Sequence, residues 1–185
     1  MNIQQHEDLK STIWEIANRL RGPYRPPQYR LVRLPAIEEI MRAGWPARKD
    51  RLGRAILAVT LRRGGYDIAD GAKANGSNIA KREYHHLYPV ALLGEDRDSP
   101  NANRAVNCAL ITWRTNRRIA ANSPKDYIEE RAEVAVLGMD EVRSRLASHL
   151  VPFDALLDGD YYSFVEERSK LVHQIMHKLC AGESV

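Results

Sequence analysis

The feature that most constrains how this chain folds is a short apolar and aromatic run, EYHHLY, which Pro89 follows at once. Aromatic residues favour β-strands, and a proline ends the hydrogen-bonded ladder because it has no N–H to donate. The stretch 94–104 is rich in Gly, Pro, Asn and charged residues, so we expect a surface loop there. A second apolar run, from Cys108 to Trp113, predicts another strand. The pattern therefore predicts a two-stranded ribbon near the middle of the chain.

A helix is expected directly after the second strand. From Arg114 onward the residues TNRRIAA have helical character, and an Asn-Ser-Pro sequence ends that helix. In the same Asn-Ser-Pro sequence, Ser123 suits the N-cap of a further helix and Pro124 suits its first position. The middle of the chain is thus predicted to run strand, loop, strand, helix, helix.

Two adjacent histidines and an asparagine in this segment indicate a possible site. A helix packed on a two-stranded ribbon can bring His85, His86 and Asn116 to one point. A neutral imidazole is a natural base near pH 7, and an amide oxygen with a second imidazole can hold a divalent cation. Phosphodiester hydrolysis needs both, an activated water and a cation at the phosphate. Neighbouring side chains of a regular strand point to opposite faces, so the two histidines share a metal site only if the strand ends or twists there.

The predicted helix is also rich in arginine. Arg114, Arg117 and Arg118 could meet phosphates with their planar guanidinium groups. A solvated helix face is the alternative for these arginines. Lys125, just after the first position of the next helix, completes the candidate DNA-binding set.

The segment resembles the HNH, or ββα-metal, nuclease motif. Within that group it is most similar to the C-terminal nuclease module of GmrSD-type, modification-dependent restriction enzymes and related phage-defence proteins. That module reads as His-aliphatic-aromatic-Pro, an Asn-led apolar strand, a helix with Thr-Asn-Arg, and Pro-x-x-Tyr. In this chain the corresponding sequences are HHLYP, NCALI, TNR and PKDY, in the same order.

The resemblance implies a role for four residues. His86 would be the general base, and His85 fills the preceding position that is often Asp. Asn107 would be the central asparagine that fixes the loop, and Asn116 would be the metal ligand on the helix. His85 and Asn116 would then hold one divalent cation, Mg²⁺ first, while the imidazole in place of a carboxylate favours Mn²⁺ or Ni²⁺.

The resemblance further implies hydrolysis of DNA phosphodiester bonds, by nicking or double-strand cleavage, in a restriction or phage-defence context. The products would be a 5′-phosphate and a 3′-hydroxyl. A recognition domain or subunit of such a system is an expected partner. Two alternatives stay open, a catalytically silent DNA-binding module and a helical interaction subunit of a restriction complex.

The expected fold class is α+β and predominantly helical, with a ββα-metal (HNH) core wrapped by helices. Residues 1–33 would form an N-terminal amphipathic helix, Glu7 to Arg21, and a basic, proline-rich connector. Residues 9–35 resemble, more weakly, the start of type I restriction modification subunits, but no methyltransferase motif follows. Residues 34–185 would be the nuclease domain, with its core at about 83–122 and flanking helices within 34–64 and 124–181.

Several helices are predicted around the core, and their bounds are Leu34 to Ala43, Ala47 to Arg63, Asp140 to Leu150 and Asp160 to Leu179. The glycine-rich stretch 66–80 is expected to be a flexible loop beside the site. His173 and His177 have the i, i+4 spacing of a metal pair, but HQIMH lacks the glutamate of HExxH, so packing or a surface role is favoured.

The composition excludes some classes of protein but does not assign a function. A net charge of +4 and a pI near 9.1 are compatible with a nucleic-acid partner and decide little alone. Cys108 and Cys180 form no CxxC pattern, so neither a zinc site nor a disulfide framework is indicated. No apolar run approaches the length of a membrane span, and no signal-peptide pattern opens the chain. We therefore expect a cytoplasmic protein without a membrane partner.

Overall fold

The structure, a computed structural model, describes residues 34–47, 50–119, 122–134 and 137–185. The predicted N-terminal helix and its basic connector lie outside the described residues. Within the described residues, seven α-helices accompany two strands, in the order α1 (Ile37–Arg42), α2 (Arg51–Thr60), β1 (Arg82–His86), β2 (Cys108–Thr112), α3 (Trp113–Ile119), α4 (Pro124–Val134), α5 (Met139–Ala147), α6 (Phe153–Leu157) and α7 (Tyr161–Cys180). The prediction of a mostly helical α+β chain is confirmed.

The two strands form one antiparallel ribbon, and α3 follows β2 without an intervening residue. His86 lies opposite Cys108 at one end of the ribbon, and Arg82 lies opposite Thr112 at the other. Helix α3 contacts both strands. Because side chains alternate along a strand, Glu83 and His85 share one face of β1 while His86 points to the other. The imidazoles of His85 and His86 therefore contact different residues.

A buried carboxylate fixes the junction between β2 and α3. Asp67 accepts hydrogen bonds from the backbone N–H of Thr112 at 2.6 Å and from the Thr115 hydroxyl at 2.5 Å. Burial by itself would raise the pKa of Asp67, but these hydrogen bonds and those from the backbone of Ala69 and Asp70 lower it below its usual value. The carboxylate therefore holds the start of α3 in place.

The burial of Asp67 differs from the prediction for residues 66–80. The structure places no long helix or strand there, as expected, but Asp67 and the neighbouring Ile68 are both fully buried. The expectation of a flexible loop is wrong for this part of the stretch, because its backbone and side chains are built into the core. Glycine content signalled the turns but carried no information about this anchoring.

Helix α7 is tied to the ribbon by a fully buried arginine. The Arg168 guanidinium donates to the carbonyl oxygens of Val106 at 2.7 Å and Cys108 at 3.0 Å, at the entry to β2. It also donates to the carbonyl oxygens of His149 and Leu150, which follow α5. Burial lowers the pKa of Arg168 to about 10, yet the group stays charged at neutral pH. One side chain thus joins α7, the segment after α5 and the start of β2.

The start of α4 was predicted correctly from its capping residues, whereas the starts of α2 and α3 differ from the prediction. Ser123 accepts from the backbone N–H of Asp126 at 3.2 Å and Pro124 is the first residue of α4, as predicted. Helix α2 begins later than expected, since Asp50 accepts from the N–H of Gly53 and caps it. Trp113, assigned to the second strand, is the first residue of α3 instead.

Other helix bounds also differ from the prediction. Helix α1 is shorter than Leu34 to Ala43, α5 ends three residues before Leu150, and the short helix α6 was not predicted. Helix α7 agrees within one residue at each end, with Asp160 as its N-cap. None of the described helices has the length and apolar character needed to cross a lipid bilayer.

Candidate active site

His85 is buried between the ribbon and helix α3. Its side chain is only 4% exposed, and its Nδ1 lies 2.8 Å from Oδ1 of Asn116, which α3 supplies. The Nδ2 of that same amide donates to Oε2 of Glu83 at 2.8 Å. Glu83 precedes His85 by two residues in β1 and so lies on the same strand face. The result is a connected chain of carboxylate, amide and imidazole along one face of the site.

The protonation state of His85 follows from this environment. Burial lowers the pKa of His85 to about 4, and the hydrogen bond with Asn116 offsets only part of that effect. The imidazole is therefore neutral at physiological pH. The Nε2 atom of the ring is buried and has no hydrogen-bond partner among the described residues.

These donor atoms fit a divalent cation. Metal ligation needs a neutral imidazole, which the low pKa of His85 provides. Oδ1 of Asn116 accepts, because Nδ2 of that amide donates to Glu83, so Nδ1 of His85 carries the ring proton in this structure. A cation held by Nδ1 and Oδ1 would replace this 2.8 Å hydrogen bond, with the ring proton on Nε2 instead. Asn116 is half-buried and Glu83 is exposed, so solvent reaches the site from this side. The pair assigned to the metal from sequence is thus brought together.

His86 lies on the opposite face of β1 and contacts different groups, so the prediction that His85, His86 and Asn116 come to one point is not met for His86. Its imidazole stacks on the indole of Trp45, with ring centroids 4.0 Å apart and planes inclined by 17°. Its Nε2 lies 3.1 Å from Oδ1 of Asn103, a residue of the loop between the strands. The ring is half-buried and burial lowers the pKa of His86, so it too is neutral at pH 7.

The hydrogen bonds of Asn103 decide which nitrogen of His86 carries the proton. The Nδ2 group of Asn103 donates to the carbonyl oxygens of Arg97 at 2.6 Å and Ser99 at 3.0 Å, which fixes the orientation of the amide. Oδ1 of Asn103 can only accept, so Nε2 of His86 must be the donor. The lone pair of a neutral His86 is therefore on Nδ1, and that atom is the one able to accept a proton.

Asn107 lies at the base of the loop that joins the strands and is fully buried. Its Oδ1 accepts from the backbone N–H of Tyr88 at 2.8 Å, and its Nδ2 donates to the carbonyl oxygens of Tyr88 and Ala102. The side chain thereby joins the segment after β1 to the end of the loop just before β2. None of these hydrogen bonds involves a histidine side chain. Asn107 therefore positions the loop.

The predicted DNA-binding residues lie on two helices. Arg114 and Arg117 are exposed on α3 and both guanidinium groups lie against the Trp113 indole. Arg118 belongs to α3, but its side chain lies outside the described part of the structure. Lys125 is exposed at the start of α4 and pairs with Glu129 at 3.9 Å. The cationic groups closest to Asn116 along the chain are therefore those on α3.

Three residues around the histidines were not predicted from the sequence: Glu83, which contacts Asn116, and Asn103 and Trp45, which contact His86. Glu83 was within reach of pattern reasoning, because a carboxylate two positions before His85 lies on the same strand face. Asn103 and Trp45 gave no such signal, since one lies in an irregular loop and the other lies forty residues upstream of His85. Only the fold brings them to His86.

Among the described residues, no group of three or more His, Cys, Asp or Glu side chains could hold a metal ion. On α7, His177 is exposed and His173 is half-buried.

Comparison of the chain with protein-family models, with curated proteins and with solved structures found no match.

Proposed function

We propose that this chain is a metal-dependent DNA endonuclease of the HNH, or ββα-metal, type. The observation that carries the proposal is the arrangement around β1. One neutral histidine lies against a helix-borne amide at 2.8 Å, and its neighbour on the other face has a lone pair fixed on Nδ1. Hydrolysis of a phosphodiester needs the ligand pair and the base at one phosphate, so the proposal places that phosphate at the end of β1, where His86 is the last residue.

In the proposed reaction His86 acts as the general base. Its Nδ1 takes a proton from a water molecule, and the water oxygen forms a new bond to the phosphorus of the DNA backbone. The bond from phosphorus to the 3′-oxygen breaks, and that oxygen leaves as a 3′-hydroxyl after protonation by solvent. The products are a 5′-phosphate and a 3′-hydroxyl. Trp45 and Asn103 hold the imidazole in the orientation and tautomer that this step requires.

His85 and Asn116 are the proposed ligands of a single divalent cation. When bound, the cation would stabilise negative charge on the phosphate and on the leaving oxygen. Mg²⁺ is the first candidate, whereas the imidazole ligand favours Mn²⁺ or Ni²⁺. Glu83 would orient the Asn116 amide from its Nδ2 side, leaving Oδ1 directed at His85.

The biological setting of the proposal follows the resemblance described from the sequence. The chain would cut DNA as part of a restriction or phage-defence system. A separate recognition domain or subunit would then choose the site. The arginines of α3 would contact the phosphates that flank the cut.

A plasmid cleavage assay tests the proposal. Wild-type protein, His86→Ala and Asn116→Ala would be incubated with supercoiled DNA in Mg²⁺, Mn²⁺ or Ni²⁺. Metal-dependent nicking by the wild type, lost in both variants while their thermal unfolding stays cooperative, is the expected result. Equal nicking by all three proteins would mean that the activity comes from elsewhere. DNA binding by an inert wild type would favour the silent binding module.

A further inference from the structure

Trp113 presents an aromatic surface at the edge of the candidate site. Of the two tryptophans that the structure describes, Trp45 is buried against His86 whereas Trp113 is 45% exposed. An indole left half in water at the first position of a helix contributes little to the core. The exposed part of the indole is open to solvent.

Two guanidinium groups frame this indole. The Cζ atoms of Arg114 and Arg117 lie 5.4 Å and 5.1 Å from the centroid of the Trp113 ring, within cation–π range. Both arginines are exposed, and neither has an ion pair with a carboxylate in the described ranges. The sequence of α3, WRTNRRI, contains no acidic residue. The surface thus combines an aromatic face with unneutralised positive charge.

Helical spacing places this surface beside the proposed metal ligand. Trp113 precedes Asn116 by three residues and Arg117 by four, and residues at these spacings are neighbours on one side of a helix. The ribbon face with Glu83 and His85 meets the same helix through Asn116. A polymer that reached His85 and Asn116 with one phosphate would therefore bring its next units close to Trp113.

We propose that Trp113, with Arg114 and Arg117, is a stacking platform for an unpaired base of DNA next to the cut. Guanidinium groups match phosphates in charge and geometry, and an indole stacks on the face of any base. In an intact duplex both faces of an internal base are covered by its neighbours, so the platform requires a single strand, a gap or an extruded base. This inference deepens the proposed nuclease function and rests on it for the position of the cut.

Binding can be tested apart from cleavage by using the His86→Ala full-length chain without added metal. Fluorescence anisotropy would follow a labelled twelve-residue oligothymidylate and a labelled duplex of equal length. Trp113→Ala should weaken binding of the single strand by roughly 5- to 150-fold and change duplex binding much less. Trp113→Phe should lose less than Trp113→Ala, since a phenyl ring still stacks. Tyr162→Ala, which removes another exposed aromatic side chain from α7, is the matched control and should bind as the parent does.

Salt dependence separates the arginines from the indole. The double variant Arg114→Gln, Arg117→Gln should flatten the dependence of log affinity on log salt by roughly 1.4, the contribution of two phosphate contacts in a single strand. Trp113→Ala should lower affinity without changing this slope. A change of slope in the tryptophan variant, or unchanged affinity in it, would overturn the platform.

The two proposals fail in different ways. If Trp113→Ala binds the single strand as tightly as its parent while wild-type protein nicks DNA, the platform is wrong and the nuclease stands. If the variant loses single-strand binding but the wild type never cuts with any metal, the platform stands as part of a binding module and the nuclease is wrong.

Discussion

The two faces of β1 carry the same side chain in unlike surroundings. On one face His85 is almost fully buried beside α3. It is hydrogen-bonded to the amide of Asn116, which is hydrogen-bonded in turn to the carboxylate of Glu83. On the other face His86 is half-buried, stacked on an indole and bonded to a loop amide. Burial lowers the pKa of both rings, but only that of His85 reaches about 4. Identical neighbours in the sequence thus differ in burial and in hydrogen-bond partner, and the proposal assigns His85 to the metal and His86 to the proton transfer.

The difference shows what the helix adds to the ribbon. A ribbon alone would leave both rings in water with similar protonation behaviour. With α3 packed on the ribbon, His85 is more deeply buried than His86 and lies against Asn116. The loop between the strands supplies the partner of the other. Variants on each face of β1 test whether the two histidines differ in this way.

The largest expected effect comes from removing each ring in turn. His86→Ala should lower the turnover of plasmid nicking at saturating metal by about 10²- to 10⁴-fold, because a general base is lost. Its affinity for Mn²⁺ should stay that of the wild type. His85→Ala should instead weaken Mn²⁺ binding, measured by the electron paramagnetic resonance signal of the free ion. Equal loss of Mn²⁺ affinity in both variants would contradict the division of roles between the faces.

Removing the partner of His86 should have a smaller effect. Asn103→Leu deletes the acceptor for Nε2 and frees the tautomer, so nicking should fall by roughly 10- to 100-fold. In Asn103→Asp the acceptor remains, but the added carboxylate raises the pKa of His86. The acidic limb of the pH–rate profile should then move to higher pH, with activity regained in alkaline buffer. An unchanged profile in Asn103→Asp would show that His86 is not the base.

A third histidine tests whether burial alone explains the state of His85. His149 is fully buried outside the site, its Nε2 donates to the carbonyl oxygen of Tyr66 at 2.8 Å, and burial lowers the pKa of His149 to about 4. Since this pKa lies below the ordinary 6.5, the unfolded chain binds the proton more readily between pH 4 and 6.5. Stability should therefore fall by about 2 kcal/mol through His149 as the pH drops from 7 to 5.

Urea denaturation at the two pH values measures this loss. His149→Gln keeps a donor for Tyr66 and should lose about 2 kcal/mol less than the wild type between pH 7 and pH 5. The matched control is His177→Gln, at an exposed position of α7, which should lose as much as the wild type. The same loss in His149→Gln as in the wild type would mean that His149 is not held neutral by the fold.

The smallest expected effect comes from Glu83, which acts through Asn116. Glu83→Ala removes the acceptor for Nδ2 of Asn116 and should weaken Mn²⁺ binding about tenfold, at the low end of the range for partners of metal ligands. Glu83→Gln keeps an oxygen acceptor and should lose less. The exposed Glu129, on α4, provides the control as Glu129→Ala. Equal affinity in Glu83→Ala and wild type would remove Glu83 from the site.

Part of this architecture was open to prediction because its causes are local. The strand predicted over residues 83–88 is present as β1, which begins at Arg82 and ends at His86, before the predicted stop at Pro89, and β2 begins at Cys108 as expected. Ser123 and Pro124 start α4 because a hydroxyl acceptor and a fixed φ act on the nearest backbone groups. Helix α6 escaped prediction, since five residues are too few to show a helical period.

Some features of the candidate site were likewise predictable from local sequence, and others were not. Sequence order alone placed His85 and His86 on a strand and Asn116 on the helix that follows the second strand. It left open whether the histidines share a partner, and the fold gives them different ones. It also gave no sign that Asn103 fixes the His86 tautomer or that Trp45 stacks on the ring. Those contacts join segments far apart in the chain.

The ribbon, the helix after it and the side chains that could do chemistry were predictable from local sequence, because strand alternation, turn residues and caps act over a few neighbours. Long-range packing sets which histidine is more deeply buried, which nitrogen of His86 holds a lone pair, and which residues hold α3 and α7 against the ribbon. Burial and hydrogen bonding across long sequence separations set those properties. They depend on the positions of side chains that are distant in sequence, such as Asp67 and Arg168, and no local sequence pattern predicts those positions.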